Sequence, residues 1–190
     1  MSWFRRKRKE ESIRLIDHGL MLACSSSLYN EAQIKSFLSL GANANLVVNF
    51  SGNPDKSPLS EAAGHGTPEI CALLLEHRAD IEQKVYLGRT PLLEACSFGR
   101  IKIVSFLLSK GANIEAKDCF GDNALALACG RHDEELINLL LNNGAIIDTH
   151  ILNKADQGDT EHAIPRFKRP PYVSLTKKLL QRICKSEEEE

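Results

Sequence analysis

Three features of the sequence could do chemistry, and each has a competing structural role. Ser174 and Lys177 stand in an S-x-x-K arrangement, the spacing of a serine nucleophile and its lysine base, but no S-D-N or K-T-G companion occurs. Ser174 also opens a run with Leu175, Leu179 and Ile183 on one helical face, where a serine serves as N-cap. Cys129 and His132 are three residues apart, as a thiol and its base could be, yet Cys129 falls at a position that recurs along the chain as a small residue. Six cysteines are present, none in a C-x-x-C pair of the kind that holds zinc. The histidines at 18, 65, 77, 132, 150 and 162 are scattered, and neither H-E-x-x-H nor a phosphate-binding glycine loop occurs. The expectation is a protein that is not an enzyme and takes no metal and no cofactor.

What positions these residues is a repeat. The stretch from Arg89 to Lys117 predicts a turn, a short helix over Thr90 to Ser97, a break at Phe98-Gly99, a longer helix over Ile101 to Lys110, and a stop at Gly111. A step of 33 residues reproduces it: Ser57-Pro58-Leu59, Thr90-Pro91-Leu92 and Asn123-Ala124-Leu125 open three units, while Arg78-Ala79-Asp80, Gly111-Ala112-Asn113 and Gly144-Ala145-Ile146 close them. Leu92, Ala95 and Cys96 form one apolar stripe, and Ile103, Val104, Leu107 and Leu108 form another. A two-helix hairpin of this size cannot bury both stripes alone, so the units must stack and share a core. Cys24, Cys96 and Cys129 then read as small core residues, Cys71 joins a second-helix stripe, and Cys119 on a turn is the thiol expected to react. Free thiols imply a reducing compartment.

The units resemble ankyrin repeats, whose opening motif is T-P-L-H-x-A. It is matched by Thr90-Pro91-Leu92-Leu93-Glu94-Ala95, by Ser57-Pro58-Leu59-Ser60-Glu61-Ala62 and, more loosely, by Asn123-Ala124-Leu125-Ala126-Leu127-Ala128; Gly111-Ala112-Asn113-Ile114-Glu115 resembles the closing motif. The motif histidine is replaced by Ser60, Leu93 and Ala126, which predicts softer turn packing than the family's. The resemblance implies an all-α ankyrin-repeat solenoid of stacked helix-turn-helix units with short hairpin fingers. Its expected divisions are a basic tail at 1–11, repeats at 12–50, 51–84, 85–117 and 118–148, a loop and capping helix at 149–186, and an acidic tail at 187–190. The first unit is degenerate, with Ser25 to Asn30 lengthening its interhelical connection. Four extra residues between Val47 and Lys56 enlarge the first finger.

The resemblance also implies a function: a non-catalytic module that binds another protein through turn tips and first-helix residues on a concave face. Mapped onto this chain, those positions are Asn53, Lys56, His65, Tyr86, Leu87, Arg89, Phe98, Phe120, Asp122 and Arg131. Aromatic residues and arginine dominate energetic hot spots, which favours Tyr86, Arg89, Phe98, Phe120 and Arg131. Leu87 and Phe120 have the competing role of filling between turns.

Net charge is −1, but Arg5 to Lys9 contribute +5 and Glu187 to Glu190 contribute −4. The nearly neutral body disfavours nucleic acid as a partner. The tail Trp3, Phe4, Arg5, Arg6, Lys7, Arg8, Lys9 reads as a solvated end, as a contact for anionic membrane, or as a nuclear-import or nucleic-acid signal. No apolar run reaches the length of a membrane span, and no signal peptide is expected. The expected setting is a monomer in the cytoplasm. The glutamate-rich end is similar to export signals of bacterial effectors that carry ankyrin repeats, so a secreted effector in a host cytoplasm, or a membrane-associated regulator, stands as the alternative.

Overall fold

The computed structural model describes residues 15–24, 31–48 and 55–147. The expected C-terminal helix, the acidic and basic tails and the tip of the first finger lie outside them. Among the described residues eight α-helices follow in order: α1 over 15–24, α2 Glu31–Ser39, α3 Pro58–His65, α4 Pro68–Glu76, α5 Pro91–Ser97, α6 Ile101–Ser109, α7 Ala124–Arg131 and α8 Glu134–Asn142. The fold is an all-α solenoid. The first helices α3, α5 and α7 pack side by side in one layer, and α2, α4, α6 and α8 form the second.

Each first helix starts for the same local reason. Ser57, Thr90 and Asn123 are N-caps whose side chains accept hydrogen bonds from the backbone N–H three residues on, at 3.2, 3.4 and 3.0 Å. Pro58 and Pro91 follow at the first helical turn, where the missing N–H has no partner to lose. Each second helix also stops alike. Gly41, Arg78, Gly111 and Gly144 adopt φ of +90°, +64°, +86° and +86°, and the next N–H (Ala42, Ala79, Ala112, Ala145) donates back to the carbonyl five residues earlier. Arg78 holds this left-handed conformation with a Cβ, where its three counterparts have none.

Between these ends the small residues decide how closely the helices sit. Ala62, Ala63, Ala95, Cys96, Ala128 and Cys129 are all at most 2% exposed, and with Leu59, Leu92 and Leu125 they form the seam between first helices. The second-helix leucines and isoleucines join them in one continuous core cluster running from Leu20 to Ala145. Cys71 lies in that cluster with Cys24, Cys96 and Cys129, as a small apolar residue would.

A hydrogen-bond ladder keeps the units in register. The side chains of Asn45, Glu82 and Glu115 hold the same place in successive closing motifs. Each accepts from a backbone N–H of the next unit: Asp80 at 2.6 Å, Asn113 at 2.7 Å and Ile146 at 2.9 Å. In the first unit Asp17 of α1 takes this role, accepting from Asn43 N–H at 2.7 Å. The turns that lack the motif histidine are thus tied by amide and carboxylate acceptors instead. At the vacated motif position Ser60 completes a capping box with Ser57, while Leu93 and Ala126 are buried in the core.

Candidate interaction surface

The fingers begin at backbone pairs just before the first helices. Val48 and Lys56 exchange N–H···O bonds of 2.9 and 3.1 Å; Val85 donates to Arg89 at 3.0 Å, and Asp118 to Asp122 at 3.0 Å. Lys56, Arg89 and Asp122 therefore occupy one equivalent position, and the four extra residues of the first finger fall between its two paired residues. Neighbouring fingers are also joined. Tyr86 N–H donates to Asp55 O at 3.1 Å, and Cys119 N–H donates to Leu87 O at 2.8 Å. The second turn is tight: Leu87 and Gly88 have φ of +60° and +69°, and a Cβ on Gly88 would stand 3.4 Å from Cys119 N. The left-handed φ of Gly88, more than that ordinary contact, favours glycine there. Two aromatic side chains emerge from the tied turns, Tyr86 at 52% exposure and Phe120 at 38%.

The bases of the fingers are charged and mostly covered. Lys56 pairs with Glu61, whose side chain is 8% exposed. Arg89 reaches Glu94 at 3.7 Å and Asp118 at 3.6 Å, bridging its own helix to the next finger. The Asp118 side chain is fully buried and accepts from Phe120 N–H at 2.9 Å and Asp122 N–H at 3.0 Å. Burial raises the Glu94 carboxyl above its ordinary value; Arg89 pulls it back and Glu61 pushes it up again. Two expectations of exposure are corrected here. Asp122 is 7% exposed, because its backbone N–H and carbonyl are both drawn into the finger base by Asp118, and Arg89 is half-buried by its two carboxylates. Lys56 and Leu87 are half-covered as well.

At the other end of the first helices lies a second row, along the interhelical loops. His65 and Phe98 meet as tilted rings, centroids 4.5 Å apart and planes at 57°, and Phe98 covers Gly64, where a Cβ would approach its ring to 3.2 Å. Arg131 donates to Ser97 O at 2.8 Å and packs under Gly99. Arg100 donates to Gly64 O at 2.8 Å. His65 and Phe98 thus meet across the second and third units, and Arg131 ties the fourth unit to the third, with His65 and Arg131 exposed and Phe98 half-buried. They stand about 12 Å from the finger row, the length of an eight-residue helix. The ten positions mapped from the sequence therefore divide into two rows. Asn53 and the run Trp3, Phe4, Arg5, Arg6, Lys7, Arg8, Lys9 lie outside the described residues.

The acceptor ladder of Asn45, Glu82 and Glu115 escaped the sequence reading. Its signal was present: a polar residue at the fifth place of each closing motif, in step with the period. Among the described residues no group of three or more His, Cys, Asp or Glu is placed to hold a metal ion. Among them, too, no helix is long and apolar enough to cross a membrane.

The capped first helices, left-handed stops and paired fingers recur at one period, and a family model of ankyrin repeats in three copies matches residues 20–118, just over half of the chain. The chain belongs to the ankyrin-repeat family. Ankyrin repeats are generally protein–protein interaction modules, and the family is typically non-catalytic. The fourth ankyrin unit follows the matched residues and keeps the same cap, seam and stop through Asn123, Ala128 and Gly144. No curated protein matches the chain.

Proposed function

We propose that the protein is a non-catalytic ankyrin adaptor that grips another protein with its finger row, through Tyr86 and Phe120. The observation that carries this reading is that two exposed aromatic side chains stand on consecutive fingers whose backbones are hydrogen-bonded at 2.8 Å. Aromatic anchors on a rigid frame lose little conformational entropy on binding, which is the economy of a hot spot. Lys56 and His65 would serve at the margins of the contact. Phe98 and Arg131 are a weaker choice than the sequence implied, because each is already committed to its neighbouring repeat. We place this activity in a reducing compartment inside a cell, a reading supported by Cys24, Cys71, Cys96 and Cys129 serving as unpaired core residues.

The test is the double substitution Tyr86→Ala/Phe120→Ala. Each truncation of a hot-spot aromatic costs about 2 kcal/mol of binding, or roughly 30-fold in Kd. The melting transition should not move, because both side chains are exposed. Retained capture of the same partner protein by the double variant would overturn the assignment.

A further inference from the structure

The residue just before the seam alanine of each first helix changes character along the array. It is Leu22 in the first unit, Glu61 in the second, Glu94 in the third and Leu127 in the fourth. Two carboxylates therefore stand on neighbouring helices, in the first turns of α3 and α5 at the bases of the fingers, with a leucine to either side. Their cations come from the fingers. Lys56 pairs with Glu61, whose side chain is 8% exposed, and Arg89 lies near Glu94, whose side chain keeps 24% exposure. In the fourth unit the finger position of Lys56 and Arg89 holds Asp122 instead.

Arg89 is divided. It stands 3.7 Å from Glu94 Oε2 and 3.6 Å from Asp118 Oδ2, both beyond hydrogen-bond length, while its Nη1 donates to Ser97 Oγ at 3.3 Å. Arg89 Nε and Asp118 Oδ2 are buried and have no hydrogen-bond partner, and the Asp118 side chain is fully covered. Leaving such groups unpaired out of water is costly. The cause is a missing positive charge: Glu61, Glu94 and Asp118 face only Lys56 and Arg89, so one guanidinium is shared by two carboxylates. Burial and the Glu61 charge both work against ionisation of Glu94. One further cation, arriving from solvent at the open edge of Glu94, would pair with it and release Arg89 to close on Asp118. The orphaned Nε and Oδ2 would then satisfy one another.

We propose, resting on the finger-row reading, that the groove between α3 and α5 is a receptor for a lysine or arginine side chain of the partner protein, taken up by Glu94 with Glu61 beside it. Tyr86 and Phe120 hold the partner at the fingers, and its cation reaches down to the finger bases. A partner segment that fits is basic with apolar neighbours, because Leu22 and Leu127 flank the two carboxylates. A bare metal ion is a poor occupant, since among the described residues no three His, Cys, Asp or Glu side chains converge to hold one.

The experiment selects peptides from a random library displayed on phage against the full chain, then measures Kd for the recovered sequences by fluorescence anisotropy. The expected peptides carry lysine or arginine well above the library's frequency. Glu94→Gln and replacement of the peptide's basic residue by glutamine should each weaken binding about tenfold, and the two together no more than either alone. The Nε–H resonance of Arg89 should move downfield when the peptide binds, as it forms its hydrogen bond to Asp118. Glu94→Gln keeps the fold, because burial already works against the charge it removes, and its melting transition checks this. Recovery of no peptide, or of peptides without basic enrichment, would overturn the proposal, as would two changes that simply add or an Arg89 Nε–H that stays in place. Tyr86→Ala/Phe120→Ala separates the groove from the fingers. Coupling at Glu94 with unchanged affinity in that variant would refute the fingers alone, whereas lost affinity there without coupling at Glu94 would refute the groove alone.

Discussion

Replacing Glu82 by alanine removes the middle rung of the inter-repeat ladder and leaves the core untouched. Its carboxylate accepts from Asn113 N–H at 2.7 Å, a short bond of the charge-assisted kind. Such bonds contribute more than the usual net 0.5 to 1.5 kcal/mol when water is excluded. Asn113 is exposed, however, so water can reach the abandoned N–H and the loss falls back to about 1 kcal/mol. For a domain of this size that corresponds to a melting temperature lower by about 4 °C. Glu82→Gln keeps an amide oxygen in reach of the same N–H and should restore more than half of the loss. Glu115→Ala should cost more than Glu82→Ala, because Glu115 accepts from both Ile146 N–H and Asn123 Nδ2. The assay is urea denaturation followed by circular dichroism. An effect of Glu82→Ala inside the roughly 0.5 kcal/mol scatter of ordinary surface substitutions would refute the ladder. Equal damage from alanine and glutamine would refute it as well.

Other outcomes follow from the same packing. Leu107→Ala empties a fully buried site at the middle of the spine and should cost about 2 to 5 kcal/mol in denaturation, much more than any rung of the ladder. Arg78→Gly should stabilise by about 1 kcal/mol, because it relieves a left-handed φ of +64° while the carbonyl that Asn45 Nδ2 donates to stays in place. Burial raises the folded pKa of Glu94 above its unfolded value, so ionising this group at neutral pH works against the fold; Glu94→Gln should raise the melting temperature at pH 7, and the gain should vanish as pH falls below the unfolded value near 4.5. Burial pushes the thiols of Cys24, Cys71 and Cys129 up to about 12 and raises that of Cys96, so a maleimide should label the exposed Cys119 in the native protein and reach these four only in denaturant.

The scaffold was legible because its constraints are local and periodic. Ser57, Thr90 and Asn123 cap helices by chemistry that four consecutive residues contain. Gly111 and Gly144 mark left-handed stops by their missing side chains, and Leu107 or Ala95 declare a core by spacing alone. The surface was less legible, since exposure depends on what lies across a gap that the period does not measure. Asp122 sits at the position of Lys56 and Arg89, but Asp118 draws its backbone inward and buries it. Phe98 falls off the helical stripes and so reads as exposed, yet Gly64 in the previous unit leaves a space that its ring fills. The ladder was written in the sequence as Asn45, Glu82 and Glu115. Its meaning needed the distance from each of them to an N–H more than 30 residues away.

The most direct test of the finger row works whatever protein the partner is. A photo-crosslinking amino acid is placed in turn at position 86, at position 120, and at position 105, where Ser105 is exposed on the second-helix layer. After irradiation in cells, the account predicts one protein trapped from both 86 and 120 and not from 105. If position 105 traps that protein as efficiently, or if 86 and 120 trap unrelated sets, the finger row is not the binding face.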